Sequence, residues 1–140
     1  MVFDWQFSAS ADKLPVDSQT QKVPAPMPDK NPIQHIADDI IQLRLKLPFA
    51  LNHVNVYLLR GAEGWTLVDT GIHTPDGEAG WRDAFNDLDF SPGDIEKIIL
   101  THVHPDHVGM AGWLQSLAKD AGRDVPVYAS EQEDRQMSLV

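Results

Sequence analysis

The alternation of apolar and polar residues predicts a run of short strands in the first part of the chain. Residues 40–47 carry apolar side chains at every second position, which is typical of a strand with one buried face. Residues 53–59 are rich in β-branched and aromatic side chains, and residues 65–68 follow a turn that two glycines flank. Because the connections are short, these three strands favour an antiparallel meander.

From Thr74 onward the apolar residues follow a helical period. Thr74 and Pro75 are typical of a helix start, with Thr74 as the cap and proline at the first helical position. The later elements are a buried strand over residues 95–101, a helix over about 107–121, a strand over 125–129 and a helix behind a Ser130 and Glu133 capping box. Strands that lead into helices indicate an α/β (α+β) fold with helices on at least one face of the sheet.

The first 35 residues differ from the rest of the chain. Residues 11–34 contain five prolines among polar side chains, which predicts a flexible leader over residues 1–35 and a folded region over residues 36–140. The first ten residues have neither a basic start nor a sustained apolar run, so a secretory signal is not expected. No apolar run in the chain is long enough to cross a bilayer, and a cytoplasmic location is the expectation.

Charge and cysteine content narrow the possible chemistry. The chain has 21 acidic and 11 basic residues and a formal net charge of −10, which disfavours a nucleic-acid partner because phosphate binding needs clustered Lys and Arg. It has no cysteine, so disulfides, thiolate nucleophiles and Cys-ligated metals are excluded. Any metal must therefore be held by His, Asp or Glu.

The strongest chemical signal is a group of histidines behind the strand predicted at 95–101. His102 and His104 are two residues apart, so in an extended backbone their side chains share a face and can bind one ion. Asp106 and His107 follow Pro105 and can point to a second position nearby. Imidazole and carboxylate ligands suit zinc, manganese or non-haem iron.

A second signal is Asp69, which ends an apolar strand and precedes Thr70 and Gly71. An aspartate there often caps the amides of a turn. Beside a histidine cluster it has a further possible role, because metal-binding histidines need a partner that fixes their tautomer.

Together, Leu67-Val68-Asp69-Thr70-Gly71 and Thr101-His102-Val103-His104-Pro105-Asp106-His107-Val108-Gly109 resemble the metallo-β-lactamase-fold hydrolases. Residues 52–59 and 111–112 resemble the hydroxyacylglutathione hydrolase and lactonase-like branch. The resemblance implies an αββα sandwich with two metal ions at its edge, zinc by expectation, with iron or manganese as alternatives. It implies these roles: His102 and His104 for the first ion, Asp106 and His107 for the second, and Asp69 as the residue that orients the site.

The resemblance also implies a reaction. Two ions would lower the pKa of a shared water, and the resulting hydroxide would attack an ester, thioester, lactone or similar bond of a small molecule, with Asp106 holding the water or accepting its proton. The loop with Phe49, Leu51 and His53 lies where relatives carry a loop beside the site, so it is a candidate substrate loop. Equally, Phe49 and Leu51 fit a place in the core.

The chain lacks some ligands that the family supplies. No histidine follows His107, whereas each ion in the family takes a further histidine and shares a bridging aspartate from the second half of the fold. We therefore expect only the N-terminal half of the sandwich here, with weak activity, completed by a C-terminal half or by a second copy. The alternatives are a nuclease or phosphodiesterase of the same fold, which the charge disfavours, and a non-catalytic metal-binding remnant or interaction module.

Overall fold

The computed structural model describes residues 31–137, so most of the predicted leader lies outside the described residues. These residues form one mixed sheet of six strands, arranged in chain order. The strands are β1 (Ile33–Ala37), β2 (Ile40–Lys46), β3 (His53–Arg60), β4 (Trp65–Val68), β5 (Ile95–Ile99) and β6 (Val127–Tyr128). The helices are α1 (Pro75–Asp87), α2 (Pro105–Val108), α3 (Ala111–Asp120) and α4 (Glu131–Met137).

The predicted meander is confirmed and is one strand longer than the pattern indicates. Strands β1 to β4 pair antiparallel, and β5 and β6 then add in parallel to β4. Strand β1 crosses the predicted leader boundary at residue 35. It is an edge strand with no buried residue, and its register shifts between His35 and Ala37, so it lacks the alternation that marks a half-buried strand.

Helix α1 begins as predicted. The Thr74 hydroxyl accepts a hydrogen bond of 3.1 Å from the Gly77 amide, and Pro75 is the first helical residue.

The prediction of a single helix over residues 107–121 is wrong. The structure has two helices there, because α2 ends at Val108 and α3 begins at Ala111. The Met110 amide donates to the Gly71 carbonyl at 3.0 Å and to the Thr70 hydroxyl at 3.2 Å, so contacts with the loop after β4 replace the helical ladder there.

The core lies on one face of the sheet, beneath the helices. The buried positions alternate along the strands and meet apolar residues of α1 and α3. Together they form one cluster that includes Leu43, Leu45, Val56, Leu58, Leu67, Ile98, Trp81 and Leu114. The opposite face carries mostly polar or half-buried side chains. Residues 31–137 therefore form one sheet with helices, which agrees with the expected N-terminal half of a two-sheet sandwich.

Strand direction collects several loops at one edge of the sheet. Strands β4, β5 and β6 are parallel and end together, and the connection between the antiparallel strands β2 and β3 lies at the same end. We call this the C-terminal edge. It holds Asp69, the stretch from Thr101 to His107, the Phe49 loop and the start of α4. In the described range, no helix is long and apolar enough to span a membrane.

Candidate metal centre

Asp69 is placed by an unusual backbone conformation at the end of β4. Its amide still donates to the Ile99 carbonyl of β5 at 2.9 Å, which continues the strand pairing by one residue. Its φ is then +63°, in the left-handed region that few residues other than glycine adopt. Only 5% of Asp69 is exposed. The turn therefore holds a buried carboxylate against the end of β5.

The Asp69 carboxylate is the centre of a hydrogen-bond network. Its Oδ1 accepts from the Thr101 amide at 2.8 Å. Its Oδ2 accepts from the Thr101 hydroxyl at 2.7 Å and faces Nδ1 of His107 at 2.9 Å. Hydrogen bonds to a carboxylate are stronger than neutral ones, and here they compensate for its burial. Asp69 thus joins the loops after β4 and β5, and its described partners lie outside its own turn.

Thr101 links Asp69 to His102, a role that the sequence pattern did not single out. The hydroxyl has one hydrogen, and it donates that hydrogen to the Asp69 carboxylate, which can only accept. It must therefore accept from Nδ1 of His102, which lies 2.9 Å away. This arrangement puts the proton on Nδ1 and leaves Nε2 of His102 free for a metal. In the sequence, the sign of this role is a hydroxyl residue, Thr101, directly before the first histidine of the cluster.

The structure brings the predicted metal ligands together. The ring of His102 lies 4.6 Å from that of His104 and 3.8 Å from that of His107, measured between centroids. Nε2 of His107 is 3.3 Å from Oδ2 of Asp106. His102, Asp106 and His107 are half-buried, and His104 is exposed. The C-terminal edge therefore carries three adjacent imidazoles and a carboxylate that solvent can reach.

This donor set fits a divalent metal by chemistry and in part by geometry. Two atoms bound about 2.1 Å from a tetrahedral zinc ion are about 3.4 Å apart, close to the His107 to Asp106 distance. Among residues 31–137, however, no three His, Asp or Glu side chains already have the arrangement of a metal site. The three imidazole rings nevertheless pack against one another, so the candidate donors are gathered at one place.

The backbone at His107 is fixed by the loop after β4. Its carbonyl accepts from the Thr70 amide at 2.8 Å and from the Thr70 hydroxyl at 2.7 Å. Nearby, Gly109 permits a close backbone approach. A Cβ at Gly109 would lie 2.4 Å from the Pro105 carbonyl oxygen and 2.9 Å from the His73 amide nitrogen. Only glycine fits at this junction.

The candidate substrate loop lies at the C-terminal edge and faces solvent. Phe49 is 53% exposed and Leu51 67% exposed, so the alternative that these residues belong to the core is wrong. His53 is half-buried at the start of β3, opposite Lys46 of β2. A substrate contact by these three residues stays a prediction.

Glu133 has a different contact from the one its capping motif predicts. The Ser130 hydroxyl accepts from the Glu133 amide at 3.3 Å, which forms half of the predicted capping box. The other half would be a hydrogen bond from the Ser130 amide to the Glu133 carboxylate, and the described hydrogen bonds do not include it. Its Oε2 accepts a hydrogen bond of 2.9 Å from the amide of Val103, between the two histidines. The Glu133 carboxylate therefore contacts the loop that carries His102 and His104.

A six-stranded mixed sheet with imidazoles and carboxylates at the ends of parallel strands defines an α/β protein with a candidate metal centre. The chain belongs to the metallo-beta-lactamase superfamily, whose family model matches residues 50–138. It is 36% identical over 73 residues to the probable metallo-hydrolase YqjP of Bacillus subtilis. The matched stretch covers 52% of this chain and 23% of that protein.

Two further comparisons agree with this family assignment. The probable metallo-hydrolase YybB of Bacillus subtilis is 26% identical over 103 residues, covering 72% of this chain and 41% of that protein. A solved structure, a beta-lactamase domain protein from Burkholderia ambifaria, superposes with a TM-score of 0.68 and 31% identity. That match covers 81% of this chain and 38% of the other. The chain thus spans less than half the length of these relatives.

Proposed function

We propose that this chain supplies the metal-binding loops of a metal-dependent hydrolase. His102 and His104 would hold one divalent ion, and Asp106 and His107 a second. The observation that carries the proposal is the cluster of three imidazole rings and Asp106 beside the buried Asp69, at the C-terminal edge of a member of this superfamily. Zinc suits these ligands best, and iron or manganese would also be accommodated.

The chain's own residues prepare this site for hydrolysis. When bound, a divalent metal polarises a carbonyl group and makes water a better nucleophile. Asp69 keeps the His107 ring oriented, and through Thr101 it does the same for His102. Asp106 lies beside Nε2 of His107 and is partly exposed, so its carboxylate could orient a water or accept its proton.

The proposed substrate is a small molecule with an ester, thioester or lactone bond. The acidic net charge of −10 supports this over a nucleic acid. The exposed Phe49 and Leu51 offer apolar surface at the same edge as the imidazoles, so an apolar part of the substrate could lie against them. A panel of esters, thioesters, lactones and phosphodiesters, assayed with zinc present, tests the bond type.

Zinc binding by the 140-residue chain tests the centre directly. Titration calorimetry with zinc should show binding to the wild-type chain and its loss in the H102A/H104A double variant. H35A is the matched control, because His35 is exposed on β1, and it should bind zinc like the wild type. Equal zinc binding by the double variant and the wild type would contradict the proposal.

A further inference from the structure

Glu133 is the carboxylate outside the proposed ligand set that touches the backbone between two proposed ligands. It is half-buried, and its Oε2 lies 2.9 Å from the amide nitrogen of Val103. That amide belongs to the peptide joining His102 to Val103. A hydrogen bond to it restrains ψ of His102 and φ of Val103, two of the four backbone angles that set the direction of the His102 side chain relative to that of His104.

The rest of the fold delivers Glu133 to this position. The Leu100 amide donates to the Tyr128 carbonyl at 2.8 Å, so β5 and β6 end side by side. Only two residues separate Tyr128 from α4, and the Ser130 hydroxyl accepts from the Glu133 amide there. The first turn of α4 is therefore held next to the loop that leaves β5, with Glu133 on the side facing it.

The loop needs such a restraint because few other contacts hold it. Thr101 is tied to Asp69 through its amide and hydroxyl. At the other end, His104 precedes α2, and its carbonyl accepts from the His107 amide at 2.9 Å. Between these two fixed points, Val103 is the one residue whose amide has a side-chain acceptor from a distant element among the described hydrogen bonds.

We propose that Glu133 is a positioning residue for the metal centre, and that its hydrogen bond to Val103 holds His102 and His104 in the orientation that binds an ion. This rests on the proposed metal-binding function. Glu133 acts on the ligands through the backbone and does not itself coordinate the metal. Residues that orient metal ligands typically change metal affinity by about 10- to 100-fold when they are removed.

The test uses three variants of the 140-residue chain. E133A removes the acceptor, E133Q keeps an acceptor oxygen without the charge, and E131A is the matched control. Glu131 lies on the same helix but is exposed and pairs with Arg135 at 2.6 Å. Two quantities are measured: hydrogen exchange of the Val103 amide in the metal-free chain by NMR, and zinc affinity by competition with a chromophoric chelator.

We expect E133A to lose protection at Val103 and to bind zinc roughly tenfold more weakly. E133Q should restore most of both properties, and E131A should match the wild type. Unchanged zinc affinity in E133A would overturn the proposal. Zinc binding as weak in E133Q as in E133A would also overturn it, because it would mean that Glu133 acts as a ligand or a charge.

The metal-free measurement separates this proposal from the proposed function. If the wild-type chain bound no zinc, the metal-binding function would fail, and with it the role of Glu133 toward the metal. Loss of Val103 protection in E133A would still support the contact between α4 and the loop, and unchanged protection would refute it.

Discussion

The apolar core and the C-terminal edge are both buried in part, but different forces hold them. Under the helices, Trp81 and Leu58 are fully buried, and apolar contact stabilises them. At the C-terminal edge, Asp69 is nearly as buried, yet three polar contacts hold it in place. Truncation of an apolar side chain leaves a cavity in the core. Removal of one member of a buried polar network leaves the remaining polar groups without hydrogen-bond partners.

The two regions meet at Thr70. The indole nitrogen of Trp81 donates to the Thr70 carbonyl at 2.8 Å, and the Thr70 hydroxyl donates to the His107 carbonyl at 2.7 Å. The core therefore supports the backbone of the site without adding a charge to it. The comparison predicts that core substitutions lower stability, while substitutions at the edge mainly lower metal affinity.

The largest effect on stability should come from Trp81→Ala. The substitution removes a fully buried indole and its hydrogen bond to Thr70, so the free energy of unfolding should fall by about 3–5 kcal/mol. Denaturant titration measures this change. Trp113→Ala is the control, because Trp113 is only partly buried, and it should cost clearly less. Equal losses would contradict the assignment of Trp81 to the centre of the core.

Asp69→Ala should have the largest effect on metal binding. It removes the acceptor that serves Thr101 and His107, so zinc affinity should fall about 10- to 100-fold. The free energy of unfolding should also fall, by about 1–3 kcal/mol. Asp89→Ala is the control, since Asp89 is exposed and has a similar left-handed φ of +50°. If both variants bound zinc equally, Asp69 would not support the ligands.

Thr101→Val should have a smaller effect that is specific to His102. Valine keeps the shape but removes the hydroxyl that accepts from Nδ1, so the His102 ring should lose its single tautomer. Nitrogen shifts of the ring in the metal-free chain measure the tautomer. Thr101→Ser restores the hydroxyl and should restore the shifts. Identical ring shifts in all three proteins would show that Thr101 does not fix the tautomer.

The smallest effect on stability should come from Phe49→Ala. Phe49 is 53% exposed, so its truncation should change the free energy of unfolding by less than about 0.5 kcal/mol. Phe90→Ala is the control, because Phe90 is buried against Trp65 and Phe85, and it should destabilise the chain measurably. If the loop contacts substrate, Phe49→Ala should raise KM for an apolar ester. A large stability loss would place Phe49 in the core.

Features that depend on neighbouring residues in the chain could be predicted from the sequence. Strand β4 has the predicted bounds, and α1 begins behind Thr74 as its cap and proline predict. The spacing of His102 and His104 correctly predicts that their rings lie together. These features depend on alternation, helical period and capping, all of which act within a few positions of the chain.

Features set by distant contacts could not be predicted in this way. The break between α2 and α3 depends on bonds from Met110 to the loop after β4, about 40 positions earlier. The roles of Thr101 and Glu133 depend on partners about 30 positions away. Strand β1 is held by pairing to β2 at an edge, and its own apolar pattern does not reveal it.

The close approach at Gly109 has a consequence for motion. The backbone of the loop after β4 touches that of the loop after α2, and bonds from Thr70 to His107 and from Met110 to Gly71 cross the junction. Neither loop can swing away alone without breaking the bonds of the other. The two loops are therefore coupled, and hydrogen exchange should show the amides of Thr70 and Met110 becoming exposed together.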